Sequence, residues 1–179
     1  ENSKTMARTD YTRFRIKSDL MMLNYKKKEK INYTNAILFN HDSKFRNKKF
    51  IFPIIVSSII KKDYALLKNI IKANIYADFS HAEDICRGLC KIMFGRTNYD
   101  KLILSSGKST SINNIIKHIV KKKKLNLKID LDKYNSKKTL IGNNEIAQKK
   151  LKWLPKKNIY IAAEEIYQYT INNRNKYKY

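Results

Sequence analysis

Tyr33-Thr-Asn-Ala-Ile-Leu-Phe-Asn-His41 is the stretch on which the fold turns. Its apolar run 36–39 is bounded by polar residues and stops at Asn40-His41-Asp42-Ser43. A short apolar run with an abrupt polar stop marks a strand buried on both faces, as in a parallel sheet. In open α/β sheets, ligands sit just past the carboxyl ends of such strands. Asn40 and His41 stand at that point. Before the strand, 12–30 reads as a helix: Ile16, Leu20 and Leu23 form an apolar stripe that closes on Lys26-Lys27-Lys28. After it, 40–49 reads as a polar loop. Residues 50–62 are again helical in period, with Pro53 tolerated in the first turn.

Farther along, 64–74 is ambiguous, and 75–79 reads as a short strand. Ser80-His-Ala-Glu83 has the capping-box spacing, opening a helix whose Ile85, Leu89, Ile92 and Met93 share one face. A second buried strand, 101–105, leads through Gly107 into a helix over 111–121. Residues 126–131 alternate like a half-exposed strand. A short helix from Asn143 ends near Leu151, followed by Trp153 and Pro155. Ile159, Ala162, Ala163 and Ile166 mark the last amphipathic helix, before a basic tail over 172–179. No internal repeat is visible. Helices alternating with strands make the chain α/β.

The 179 residues suffice for one domain with a core, and no apolar run approaches bilayer-spanning length, so no membrane insertion is expected. Cys86 and Cys90 lie one helical turn apart, unsuited to a disulfide framework. Zinc with His81 would match no standard spacing; two small buried hydrophobes are the simpler reading. The unusual number is charge: 39 Lys and Arg against 15 Asp and Glu, formally +24. Such a surplus favours a polyanion such as RNA, with Lys121, Lys122, Lys123, Lys124, Arg174, Lys176 and Lys178 as candidate contacts. Abundant Lys, Asn, Ile and Tyr with scarce Gly, Pro and Ala also fits an AT-rich genome without selection for binding. Composition leaves both readings open.

Several motifs are similar to one family. Ile37-Leu-Phe-Asn-His-Asp-Ser43 is close to its Ile-Leu-Phe-Asn-His-Glu-Ser, and Asp78-Phe-Ser-His-Ala-Glu-Asp84 to its Asp-Trp-Gly-His-Ala-x-Asp. Leu140-Ile-Gly142, Ala147 and Leu151-Lys-Trp-Leu-Pro155 are similar to its Leu-x-Gly-Asp, Lys-Ala and Leu-Gly-Trp-x-Pro ending. Counted back without a gap, Asn24-Tyr25 falls on a family Asn-Tyr. In this order the motifs cover nearly the whole chain, 1–179. The chain resembles the C-terminal half of GDP-mannose 4,6-dehydratase, an extended short-chain dehydrogenase/reductase. The resemblance implies the last parallel strands of a Rossmann-type sheet plus the small sugar-nucleotide-binding domain, with the Gly-rich first half lying before Glu1.

It also implies chemistry. The family removes a hydride from C4 of the hexose to NADP, eliminates water across C5–C6 and returns the hydride to C6. Tyr11 falls on its catalytic tyrosine, and Arg15 on the lysine that lowers the tyrosine pKa and holds the nicotinamide ribose. Arginine keeps the charge, but its planar fork does not replace a compact ammonium in a tight site. Asn40, His41 and Arg46 match positions that contact cofactor or sugar nucleotide. Other positions depart. Pro53-Ile54 stand for an Arg-Lys pair, Ala77 for an arginine and Lys152 for the glycine before tryptophan, while 133–138 retain no acid of an Arg-x-x-Glu-Val-Asp stretch. None of the four glycines forms a Gly-x-x-Gly-x-x-Gly loop, so NADP binding would need the missing half.

Three functions remain: a non-catalytic, dehydratase-derived structural subunit of a larger assembly; an active GDP-sugar dehydratase seen as a fragment or split half; and a sugar-nucleotide-binding module. The first accounts for more of the departures. An RNA-containing assembly such as an organellar ribosome suits the composition, and a mitochondrial setting would follow from that, although no compartment is named by the sequence. A protein partner covering the open sheet is expected in each case.

Overall fold

The computed structural model describes residues 6–95, 99–127, 129 and 139–173. The chain runs α1 (Asp10–Glu29), β1 (Asn35–Leu38), β2 (Asn40–Asp42), α2 (Ile51–Lys61), α3 (Tyr64–Ala73) and β3 (Tyr76–His81). It continues through α4 (Ala82–Phe94), β4 (Lys101–Leu104), β5 (Ser109–Ser111), α5 (Ile112–Lys122), α6 (Glu145–Leu151) and α7 (Ile159–Asn172). β1 and β4 pair in parallel with Ile37 opposite Ile103. A second sheet has the order β2-β3-β5, with β2–β3 parallel and β3–β5 antiparallel.

Local chemistry explains most element boundaries. Thr9 and Thr12 form a reciprocal capping box at the start of α1. Pro53 lies in the first turn of α2, where its missing N–H has no intrahelical partner to lose. The ambiguous 64–74 stretch becomes α3, because Asp63 accepts from Leu66 N and Leu67, Ile70 and Ile71 share one buried face.

Two cores result. The larger joins α2, α3, β3, α5 and α7 through residues such as Phe52, Val56, Leu67, Ile115, Ile116 and Ala163. Phe52 and Phe79 meet edge to face there at 5.2 Å. The smaller packs α4 and α6 on β4: Ile85, Leu102, Leu104, Ala147, Leu151 and Trp153. Buried Trp153 donates from Nε1 to Asp84 O at 2.9 Å. Asp84 accepts from Lys156 N and Lys157 N at 2.9 and 2.7 Å, tying the segment before α7 to α4.

Several expectations are corrected. β1 is not enclosed on both faces: none of its residues is buried, and Leu38 is 39% exposed. The stretch expected as a loop from residue 40 opens instead as β2, because its backbone pairs with β3. α4 is capped not by Ser80 but by His81, whose side chain accepts from Glu83 N, since β3 extends through residue 81. Cys86 and Cys90 are exposed, because α4 turns Ile85 and Gly88 inward; Leu89 and Met93 are exposed with them. The stripe on α1 exists, but no residue of the helix is buried and Leu20 is exposed. Of the strand expected over 126–131, residues 128, 130 and 131 lie outside the described residues, and 126, 127 and 129 are not in a strand. No helix among the described residues is long and apolar enough to cross a membrane.

Candidate functional site at the strand ends

β1 and β4 end together. Phe39 N donates to Leu104 O at 3.1 Å, and the chain then crosses into β2 beside β3. This crossing places Asn40, exposed, and His41, half-buried, at the strand end. His41 Nδ1 lies 2.8 Å from Phe39 O, so the ring donates there and leaves Nε2 to face other groups. Asp42 is buried, accepts from Ser43 N at 2.9 Å and lies 3.8 Å from Arg46 Nε. Burial raises its carboxyl to about 6, against the lowering pull of the Ser43 amide, Arg46 and His41.

Beneath the strand ends sits Asp78, fully buried. Its Oδ1 accepts from Ser106 N and Ser106 Oγ at 2.9 and 2.5 Å. Its Oδ2 accepts from Gly107 N and Gly142 N at 3.0 and 3.1 Å. One carboxylate thus holds β3, the β4–β5 turn and the segment before α6 in register. Both glycines are required: Gly107 has φ +71°, and a Cβ on Gly142 would lie 2.5 Å from Ser105 Cβ. In the sequence Asp78 is visible only as one letter of a motif. Its role as a hub is not legible there, because its partners lie 28 to 64 residues away.

The other candidates fall elsewhere. Tyr11 opens α1 at 72% exposure, and Arg15, one turn on, is also exposed. Tyr33 OH donates to Asp19 Oδ1 at 3.0 Å, and Lys101 pairs with Asp19 at 3.2 Å. Burial and the Asp19 contact raise the Tyr33 hydroxyl, and Arg15 is near enough to pull it down. Tyr33 precedes β1, whereas Asn40 and His41 lie past its end. Arg46 stacks over Phe50, 3.7 Å from the ring centroid. Lys121 and Lys122 end α5, and Lys123 lies over the Tyr167 ring at 5.4 Å. Lys124 follows with φ +50°. Arg174, Lys176 and Lys178 lie outside the described residues, as does 133–138. Among the described residues, no group of three or more His, Cys, Asp and Glu is placed to hold a metal ion.

The sequence profile of the GDP-mannose 4,6 dehydratase family matches residues 1–166. The chain belongs to this family. No curated protein matches it by sequence. Among solved structures it is similar to RMD from Pseudomonas aeruginosa complexed with NADPH: 17% identity, TM-score 0.77, covering 94% of this chain and 58% of that one. It is also similar to dTDP-glucose 4,6-dehydratase from Bacillus anthracis str. Ames in complex with NAD: 14% identity, TM-score 0.77, 98% and 56% covered. A third is UDP-N-acetylglucosamine 4-epimerase from Methanobrevibacter ruminantium M1 in complex with UDP-N-acetylmuramic acid: 14% identity, TM-score 0.76, 97% and 57% covered. The α/β fold with parallel strands is that of the sugar-nucleotide dehydratases and epimerases, and the chain spans under two thirds of these three. Arg46 is turned to Phe50 and Asp42, Gly107 and Gly142 serve Asp78, and Gly88 packs against Leu104 and Trp153.

Proposed function

We propose that this dehydratase-like chain is a non-catalytic, structural subunit that docks through α1 and β1 on other polypeptide. One observation carries the reading: α1 buries none of its 20 residues. Tyr11, Phe14, Met21 and Tyr25 are exposed along it, and β1 beside it is only half covered. Large exposed apolar side chains on a helix next to an incompletely covered strand mark an interaction surface. The occupant of that face is a dinucleotide-binding half, on the same polypeptide or a second one, or an unrelated partner.

The loss of turnover follows from residues. By the resemblance, Arg15 stands in the lysine position, and Pro53-Ile54 in place of an Arg-Lys pair removes two phosphate-binding charges. With NADP and GDP-mannose supplied, no 4-keto-6-deoxy product is expected. Product that disappears on Tyr11→Phe would overturn the reading. It would favour the second reading, an NADP-dependent GDP-sugar dehydratase completed by another polypeptide, which the ordered strand-end geometry around Asn40 and His41 supports.

A further inference from the structure

A groove away from α1 and β1 brings together cations, an exposed aromatic ring and an apolar chamber. The segment 43–50 reads Ser-Lys-Phe-Arg-Asn-Lys-Lys-Phe and contains no acidic residue. It runs along one side of a cavity of about 410 Å³ between α2, the start of α3 and the end of α7. That volume is in the range of small-ligand sites. Pro53, Ile54, Leu66 and Ile166 form its apolar walls, and Ser57 and Thr170 also line it. Lys44, Arg46, Lys48 and Lys61 also line it. Asp63 is the acidic residue in the lining, and its carboxylate accepts from Leu66 N as the cap of α3.

Beside the cavity the same segment opens a second hollow, shared through Lys44, Arg46, Lys48 and Tyr169 and extended by Phe45 and Lys49. Phe45 is 77% exposed, meets Tyr169 edge to face at 6.2 Å and has Lys44 Nζ 5.2 Å from its ring centroid. An exposed aromatic ring, a row of cations and an adjoining apolar chamber match three parts of a nucleotide strand. A base stacks on the ring, phosphates run past the cations, and a neighbouring base turns into the chamber. A duplex keeps its bases stacked inside and offers only the phosphates.

We infer that this groove binds single-stranded RNA, with Phe45 as the stacking platform, Lys44 and Lys49 on the phosphates and the chamber taking one unpaired base. The inference does not depend on how α1 is covered, because no residue of α1, β1 or β4 lines the groove.

The test measures anisotropy of a labelled dodecauridylate titrated with the full 179-residue chain, in whatever assembly it purifies. Phe45→Ala is expected to weaken binding by about tenfold while leaving the thermal melt unchanged, since the ring is outside both cores. Lys44→Gln with Lys49→Gln is expected to flatten the slope of log K against log salt by about 1.4, near 0.7 for each phosphate no longer neutralised. Unlabelled GDP-mannose should not displace the oligomer, and duplex RNA of equal length should bind more weakly. Unchanged affinity in Phe45→Ala, an unchanged slope in the double variant, equal binding of duplex, or displacement by GDP-mannose would each overturn the proposal.

Discussion

Glycine marks the difference between preference and necessity in this chain. Lys30, Lys62, Lys124 and Lys152 all adopt positive φ near helix ends, where glycine is the usual residue. At Gly107 and Gly142, where backbone conformation or contact with Ser105 forbids a side chain, glycine remains. Lysine thus occupies positions where glycine is merely preferred, and glycine those where conformation or close contact requires it. Lys152→Gly is expected to stabilise the chain by about 0.5–1 kcal/mol, left-handed strain relieved minus the added freedom of the unfolded state. Urea melts check it, and Gly142→Ala should move the other way. Asp42 supplies a pH test. Its carboxyl is raised from 3.8 to about 6 in the folded state, so the folded chain holds the proton between those values. Stability from this group is therefore complete below about pH 4 and is lost as pH rises through about 6. The loss is up to roughly 3 kcal/mol at about 1.36 kcal/mol per unit. Asp42→Asn should flatten the profile between about pH 4 and 7 and be the more stable protein at the upper end of that window. A wild-type chain whose stability climbs over the same range would contradict the assignment.

Among the elements, α1 and α5 are opposites. α5 buries Ile112, Ile115, Ile116 and Ile119 in the larger core, and Ser111 accepts from Asn114 N at its start. α1 has the longer run and a capping box, yet polar links tie it to the rest of the chain: Lys26 to Asp100 at 2.8 Å, and Tyr33 and Lys101 to Asp19. These links are polar contacts and not apolar packing, and an isolated helix of this length is marginal in water. Backbone amides of α1 are therefore expected to exchange at least about tenfold faster than those of α5 in the isolated chain. Hydrogen exchange by mass spectrometry checks this, and protection of α1 on adding a partner would identify the docked face. Equal protection in the two helices without a partner would show that α1 is already covered.

At the scale of the molecule, the larger core is closed, while among the described residues the β1–β4 sheet has no third strand. β1 pairs with β4 along one edge, and Ile37, Leu38 and Phe39 remain partly exposed. Covering them would stabilise by roughly 1.5–3 kcal/mol each. Unpaired backbone groups on the free edge add a cost and a route to aggregation. The isolated chain is expected to self-associate or bind a hydrophobic dye, read by light scattering and fluorescence. A monodisperse monomer with a sharp melt and no dye signal would sink the docking reading while leaving the RNA groove to its own test.

Short-range pattern was enough to find parallel strands within 33–39 and 101–105, helices around residues 16, 56, 88, 116 and 166, and the family, because each rests on local period or on motifs in order. Packing settled the rest. Residues 64–74 became helical when an apolar face of α3 found a core, and residues 40–42 became a strand because β3 lay alongside, which no local pattern encodes. His41 and Asp42 were readable as a polar stop, but the raised carboxyl of Asp42 comes from burial. Asp78 gathers donors from distant segments, and Phe45 meets Tyr169 across most of the chain. Such contacts are products of packing, since side chains far apart in sequence share an environment only after the backbone between them has folded.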